Sequence, residues 1–320
     1  MTSALLTASN LAIELGTADP VRILDGISFQ LEPGRTLGVV GESGCGKSMT
    51  ALALMGLVPN PSRITGSLRL GDTELLGMDE EHRRRLRGKR LAMIFQEPMT
   101  ALNPVVSVGD QIAEMLEVHE HASTAQARSR AVALLHDVGI ASAADRAQAY
   151  PHQLSGGMRQ RVMIAMAIAC RPEILIADEP TTALDVSVQA QILDLLLELQ
   201  RREGMAMLFI SHSLGVISEI SDEIMVMYAG RIAEHGPATE VLQYPTHPYT
   251  RGLIATIPDI AHRVKTLPVI AGNVPNLRQR GPGCAFAPRC PLAIDACRQT
   301  VPPLHGNAHR IACLRATVPA

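Results

Sequence analysis

The chain contains no tryptophan, and aromatic residues of every kind make up 2% of its 320 residues. A core built from it must pack aliphatic side chains, and the 47% hydrophobic content is enough for a sizeable one. Long apolar runs are also missing. Nothing approaches the ~20 residues that a membrane-spanning helix needs, and stretches such as Val162–Cys170 are soon interrupted. The first residues, Met1–Asn10, lack a basic segment followed by an apolar one and do not read as a signal peptide. Neither sign of charge is in excess. The 29 Lys and Arg against 31 Asp and Glu leave a formal charge of −2, which gives no electrostatic reason to expect nucleic acid as a partner. These absences lead us to expect a cytoplasmic chain, whose six cysteines are not expected to pair as structural disulfides.

Internal repeats and low-complexity tracts are absent too. What is present is an alternation of short apolar strands and amphipathic helices. Strands are expected at Leu11–Leu15, Ile23–Leu31, Thr36–Val40, Leu91–Phe95, Ile174–Ala177 and Met205–Ile210. Helices are expected at about Lys47–Leu57, through Val106–Val138, and at Val186–Gly204. Glu223–Glu234 reads as a hairpin turning at Ala229-Gly230. Such alternation implies a mostly parallel sheet with helices on both faces. After Gly236, proline and glycine become frequent, so the expected division is 1–236 as the main domain and 237–320 as an extension. Residues of about 97–155 should form a helical subdomain standing off the sheet.

Gly41-Glu42-Ser43-Gly44-Cys45-Gly46-Lys47-Ser48 matches G-x-x-x-x-G-K-[ST] between a strand and a helix, the context this phosphate-binding loop requires. Its glycines let backbone N–H groups converge on phosphate oxygens, and the following helix adds the positive end of its dipole. Lys47 should reach the β- and γ-phosphates, and the Ser48 hydroxyl should ligate Mg²⁺. Cys45 is read as a small spacer rather than a reactive thiol. Further on, Ile174–Ala177 ends in Asp178 and Glu179. Acids at the C-terminal edge of such a strand suit the Mg²⁺ shell (Asp178) and the polarising of an attacking water (Glu179).

Leu154-Ser155-Gly156-Gly157-Met158-Arg159-Gln160, before a helix reaching about Cys170, is a second anion-binding pattern. It resembles the signature motif of the ABC ATPases. That resemblance implies an α/β P-loop NTPase of RecA-like type, an ABC nucleotide-binding domain with an antiparallel β subdomain and a helical subdomain. It also implies ATP as substrate, Mg²⁺ as cofactor, and nucleotide contacts running from Gly41 through Met49. Ser155, Gly156 and Gly157 would act in trans on the γ-phosphate held by a partner. Gln96 resembles the Q-loop residue that touches Mg²⁺ or its water, Ala183-Leu184-Asp185 the D-loop, and His212 the switch histidine at the γ-phosphate. Two departures stand out. Ser213 occupies a position where many relatives have Asp. Gly16–Leu24 has no aromatic to stack on adenine, which leaves Val21 or Arg22 to cover the base. Soluble ABC ATPases that act on ribosomes or DNA carry two cassettes or a long coiled-coil insertion, and this chain has neither. Intact Lys47, Glu179 and His212 argue against a non-catalytic subunit.

Gln96-Glu97-Pro98-Met99-Thr100-Ala101-Leu102-Asn103-Pro104, Tyr150-Pro151-His152-Gln153-Leu154-Ser155 and Pro245-Thr246-His247-Pro248-Tyr249-Thr250 resemble the oligopeptide, dipeptide and nickel importer branch of that family. This implies import of di- or oligopeptides, with nickel or another small solute as the alternative. It implies a second, different ATPase subunit, two integral membrane permease subunits and, indirectly, a periplasmic or extracellular solute-binding protein. The chain would then sit peripherally on the cytoplasmic face of the inner membrane.

Cys284, Cys290, Cys297 and Cys313 crowd the C-terminal region at a C-x5-C-x6-C-x15-C spacing, which is not that of a zinc ribbon. The segment from Gly272 is rich in proline and poor in apolar runs, so it can hardly bury a core of its own. A four-thiolate metal site is therefore expected, iron–sulfur or zinc, with four free or paired thiols as the remaining alternative. The branch resemblance implies a [4Fe-4S] cluster with a structural role. Arg289 and Arg310 read as structural or as charge balance for the thiolates, and His305 and His309 as solvent-facing, with substitute ligands as their alternative role.

Overall fold

The computed structural model describes residues 4–182, 184–257 and 268–316. In chain order its strands are β1 (Leu6–Leu15), β2 (Val21–Leu31), β3 (Thr36–Val40), β4 (Ser62–Leu70), β5 (Thr73–Glu74), β6 (Leu91–Ile94), β7 (Ile174–Asp178), β8 (Ala206–Ser211), β9 (Glu223–Tyr228), β10 (Arg231–Pro237), β11 (His305–Gly306) and β12 (Arg310–Ile311). The chain forms two compact units. One contains Glu32–Arg35 and Gly77–Leu208. The other contains β1 and β2, Thr36–Leu76 and the described residues from Phe209 onward. The chain passes from one to the other within β8.

The unit with the N-terminal strands holds an antiparallel sheet in the order β2-β1-β4-β5, the expected antiparallel β element. In β2, Leu24, Ile27, Phe29 and Leu31 are buried while Gln30 is exposed, the alternation of a half-buried strand. Each such apolar side chain contributes roughly 1.5–3 kcal/mol when fully buried. In the same unit β3 runs parallel to β9, with Val40 opposite Val226, and β10 returns antiparallel to β9. The β9–β10 turn falls where the sequence placed it, with Ala229 and Gly230 both at positive φ, 46° and 81°. All five residues of β3 are buried, so it reads as a continuous apolar run.

In the other unit β6 runs parallel to β7, with Leu91 opposite Ile174 and Ile94 opposite Ala177. The helical stretch resolves into Val108–Glu120 and Thr124–Asp137, followed by Gly156–Ile168. Their inward faces follow helical spacing: Val108, Ile112 and Leu116 on one, Ala127, Ala131 and Leu135 on the next. Ser107 caps the first by accepting the Asp110 N–H at 3.2 Å, and Ser123 with Gln126 forms a capping box on the second. Helix Val186–Glu203 starts at the Asp185 cap and stops at Gly204 in the left-handed region, as expected for a C-terminal glycine. Among the described residues no helix is long and apolar enough to cross a membrane.

The cysteine-rich segment does not show the expected metal site. Cys284, Cys290, Cys297 and Cys313 are free thiols that line one small cavity. Among the described residues, however, no group of three or more His, Cys, Asp or Glu side chains is placed to hold a metal ion. The [4Fe-4S] expectation is overturned, and the zinc alternative with it. Burial pushes the Cys284 and Cys290 thiols up, towards the protonated form. The premise that failed is that the segment needs a core of its own. Instead β12 pairs with β10, Glu234 opposite Ile311, and β11 pairs with β12. Phe286, Ala287 and Ile311 are buried, and Phe286 packs against Tyr228 and Tyr249 with ring centroids 5.2 and 5.4 Å away. The segment borrows the core of the unit to which it is stitched.

Glu234, fully buried, ties this seam together. It accepts the backbone N–H groups of Thr246 and His247 at 2.8 and 2.9 Å, and it bonds His309 Nε2 at 2.7 Å. His309 is thus a buried partner, not a solvent-facing residue. Burial pushes the His247 imidazole down to about 4, so its Nδ1 accepts the Tyr249 N–H at 3.0 Å. Glu234→Ala strands three buried donors, each worth about 1–3 kcal/mol. The expected loss of unfolding free energy is about 3–5 kcal/mol in a urea titration. A loss below about 1 kcal/mol would contradict this account of the seam.

Candidate functional site

In the unit with the N-terminal strands, the phosphate-loop residues leave β3 and enter helix Lys47–Met55. Gly46 caps that helix in the left-handed region, at φ 104°, with no side-chain cap. A Cβ at Gly41 would collide with the Met227 carbonyl and Cys45 Sγ, and one at Gly46 with Leu24. The backbone carbonyl contact demands glycine at Gly41, and the left-handed φ favours it at Gly46. Lys47 is 6% exposed, and its Nζ donates to the Gly41 carbonyl at 2.8 Å. A more distant bond of 3.4 Å goes to the Glu42 carbonyl. These two carbonyls compensate the buried ammonium. Cys45 is fully buried and burial pushes its thiol up, which suits the spacer role. Ser43, Gly44 and Ser48 are exposed, Met49 less so. In the same unit His212 follows β8 and is exposed, while Ser213 caps helix Leu214–Ile220 by accepting the Val216 N–H at 3.4 Å. Arg22 is bound to Glu14 and Asp25 at 2.8 and 3.0 Å.

In the other unit the β6–β7 register fixes a pair of side chains. Gln96 and Glu179 each lie two residues beyond the matched Ile94 and Ala177. The Gln96 Nε2 donates to Glu179 Oε2 at 3.3 Å, and Thr182 Oγ1 donates to the same oxygen at 2.9 Å. Glu179 has φ 47°, left-handed backbone that is costly for a side chain of its size. Asp178, the last residue of β7, is 4% exposed. Its carboxylate and the Gln96 amide oxygen are hard oxygen donors of the kind Mg²⁺ prefers.

Also in that unit, Ser155 caps helix Gly156–Ile168 by accepting the Met158 N–H at 3.4 Å. Ser155 and Gly156 are exposed at this N-terminus. Gly157 packs where a Cβ would press on Val188. Arg159 Nε donates to the Pro151 carbonyl at 2.7 Å and holds the approach to the helix. Of the D-loop residues, Asp185 accepts the Val188 N–H at 2.9 Å, and Ala183 lies outside the described residues. Sequence reasoning missed two residues that touch the phosphate loop: Tyr249, whose hydroxyl accepts the Glu42 N–H at 2.9 Å, and Arg289, bonded to the Glu42 carboxylate. Tyr249 lay inside a quoted motif, but nothing in that motif pointed to Glu42.

The family model described as ABC transporter matches residues 24–182, and that described as oligopeptide/dipeptide transporter, C-terminal region, matches 233–297. The dipeptide transport ATP-binding protein DppD of Haemophilus influenzae is 49% identical over 304 residues, covering 94% of this chain and 92% of its own. A probable peptide ABC transporter ATP-binding protein of Sinorhizobium fredii is 50% identical over 305 residues, covering 94% of this chain and 91% of its own. A solved dimeric ATP-binding cassette in a post-hydrolysis state, bound to ADP and phosphate, superposes with a TM-score of 0.66. It is 23% identical and covers 73% of this chain and 98% of its own, and it establishes the ABC nucleotide-binding fold. The chain therefore belongs to the ABC transporter family, as one of its ATP-hydrolysing, ATP-binding proteins.

Proposed function

We propose that the chain is the ATPase subunit of a peptide importer, and that the residues described above divide its chemistry. The observation that carries the hydrolytic reading is Glu179, kept in a strained backbone conformation with its carboxylate held by Gln96 and Thr182. Strain of this kind persists where the surroundings over-determine it, often at active sites. Glu179 polarises the attacking water, and His212 donates to a γ-phosphate oxygen. The loop from Gly41 to Met49 holds the triphosphate through backbone N–H groups and Lys47. Ser48, Gln96 and Asp178 supply oxygen ligands to Mg²⁺, which neutralises phosphate charge when bound. Phosphoryl transfer of this type needs little covalent chemistry from the protein, so positioning and charge stabilisation carry most of the rate.

Ser155 and Gly156 are exposed at a helix N-terminus, with Gly157 following them against Val188. This supports their use on a nucleotide held by a second ATPase subunit, a different chain in our reading. Residues 1–236 form the ATPase region and 237–320 its extension. The subunit works peripherally at the cytoplasmic face of the inner membrane with two integral permease subunits, and a solute-binding protein acts indirectly. Its cargo is a di- or oligopeptide.

Three substitutions test these roles. Lys47→Ala removes the one cation on the triphosphate loop and is expected to weaken ATP binding itself; unchanged affinity by calorimetry sinks the loop assignment. Glu179→Gln keeps shape and loses the base, so the assembled complex is expected to bind ATP normally and turn it over about 10²–10⁴-fold more slowly. Near-normal turnover means Glu179 has the wrong role. Ser155→Arg is expected to leave ATP affinity of the isolated chain intact while abolishing ATP-dependent association with the partner. Lost affinity in the isolated chain contradicts action in trans.

A further inference from the structure

The second residue of the phosphate loop is a carboxylate, and a carboxylate beside a triphosphate is a local electrostatic conflict. The structure shows how it is met. Arg289, 247 residues away in sequence, has a side chain only 6% exposed. Its Nη1 donates to both Glu42 oxygens, at 3.0 and 2.9 Å, and to the Tyr228 hydroxyl at 3.2 Å. Nη2 donates to the Ile270 carbonyl at 3.1 Å, and Nε to the Ala271 carbonyl at 2.8 Å. The guanidinium also lies 5.9 Å from the ring centroids of both Tyr228 and Phe286. Five hydrogen bonds and two rings leave it one orientation.

The same segment of chain grips the loop at other points. The Glu42 N–H donates to the hydroxyl of Tyr249, a side chain with no exposed surface. Arg280 Nη1 donates to the Ala229 carbonyl at 2.8 Å, and the adjacent Gly230 N–H donates to the Cys45 carbonyl at 2.9 Å. Glu42 is thus held by its backbone from one side and by its carboxylate from another.

We propose that Arg289 is a positioning residue for nucleotide binding. It neutralises Glu42 and fixes the phosphate loop, so that the C-terminal extension sets the affinity of the chain for ATP. The proposal rests on the reading of Gly41–Met49 as the nucleotide loop. Without Arg289, Glu42 presents an uncompensated negative charge to the triphosphate and one anchor of the loop is gone. Arginine is required because a point charge cannot bridge a carboxylate and two carbonyls at once.

The test is a double-substitution cycle on the full chain, read as the dissociation constant of a fluorescent ATP analogue with Mg²⁺. A thermal midpoint without nucleotide is measured alongside. Arg289→Ala is expected to weaken binding about tenfold, within the usual range of coupling between linked sites. In the Glu42→Gln background the same substitution is expected to cost less than about threefold, because no carboxylate is left to expose. An equal cost in both backgrounds overturns the proposal. So does a folded Arg289→Ala chain with a lowered thermal midpoint and unchanged affinity, which marks a merely structural residue. If Arg289→Ala fails to fold, Arg289→Gln, which retains an amide donor, is read through the same cycle. Lys47→Ala separates the two levels of failure. If it binds the analogue like the wild type, the loop assignment falls and the proposal with it. If it binds weakly while Arg289→Ala binds normally, only the role of Arg289 falls.

Discussion

A dense anion can be held by backbone N–H groups only where several of them point the same way and no Cβ stands between them and the ligand. The arrangement from Gly41 to Lys47 meets this constraint at a cost. Its glycines are conformationally free in the unfolded chain, and its lysine is an ammonium with 6% exposure that needs oxygen partners before any phosphate arrives. The Gly41 carbonyl supplies the nearer of these partners. The Met227 carbonyl packs so closely on Gly41 that a Cβ does not fit there, and Gly46 takes a left-handed φ that favours glycine. Strand β3, buried along its whole length, and its parallel neighbour β9 supply the rigid edge from which the loop departs. Much of that unit can be understood as support for a loop that would not hold its own shape.

Whether an element could be read from the sequence depended on how it is buried. Strands β3, β7 and β8 have every residue buried, so each appears as an apolar run with sharp ends, and the expected bounds fall within a residue or two of those observed. The β9–β10 turn was legible because Ala229-Gly230 interrupts two such runs. Strand β4 was not anticipated, since only Leu68 and Leu70 of its nine residues are buried and, Ile64 apart, the rest is polar or glycine. Helix Glu80–Leu86 buries no residue at all and leaves no periodic trace. In these two cases neighbouring chain, not local pattern, decides the structure.

The site divides along the same line. Motif spacing pointed to Lys47, Asp178 and Glu179, and the family resemblance to Gln96, His212 and Ser155. That Gln96 bonds Glu179 follows from the β6–β7 register, which sequence alone does not supply. The strain at Glu179 is likewise invisible to motif matching, since a positive φ leaves no mark on residue type outside glycine and asparagine. The cysteine segment shows the opposite failure. Composition suggested that it lacked a core, and it does, but β10 and the Tyr228–Tyr249–Phe286 cluster lend it one. An argument from composition treats a segment as if it folded alone.

Glu42 brings these threads together. Judged locally it breaks a rule, as an acid where the ligand is an acid. Such violations persist when something elsewhere compensates for them, and they tend to mark functional positions. The compensation lies in a guanidinium held by carbonyls, rings and a phenol hydroxyl from residues between Tyr228 and Arg289. Lysine at that position would keep the charge but lose the fork geometry, and a solvent-exposed arginine would be screened. Burying the arginine solves both problems, but a buried guanidinium is itself costly unless every donor is used. In the same segment, β12 pairs with β10 and His309 bonds Glu234, which anchors the chain that carries Arg289. Firm anchoring of the tail and neutralisation of the loop are two aspects of the same electrostatic demand.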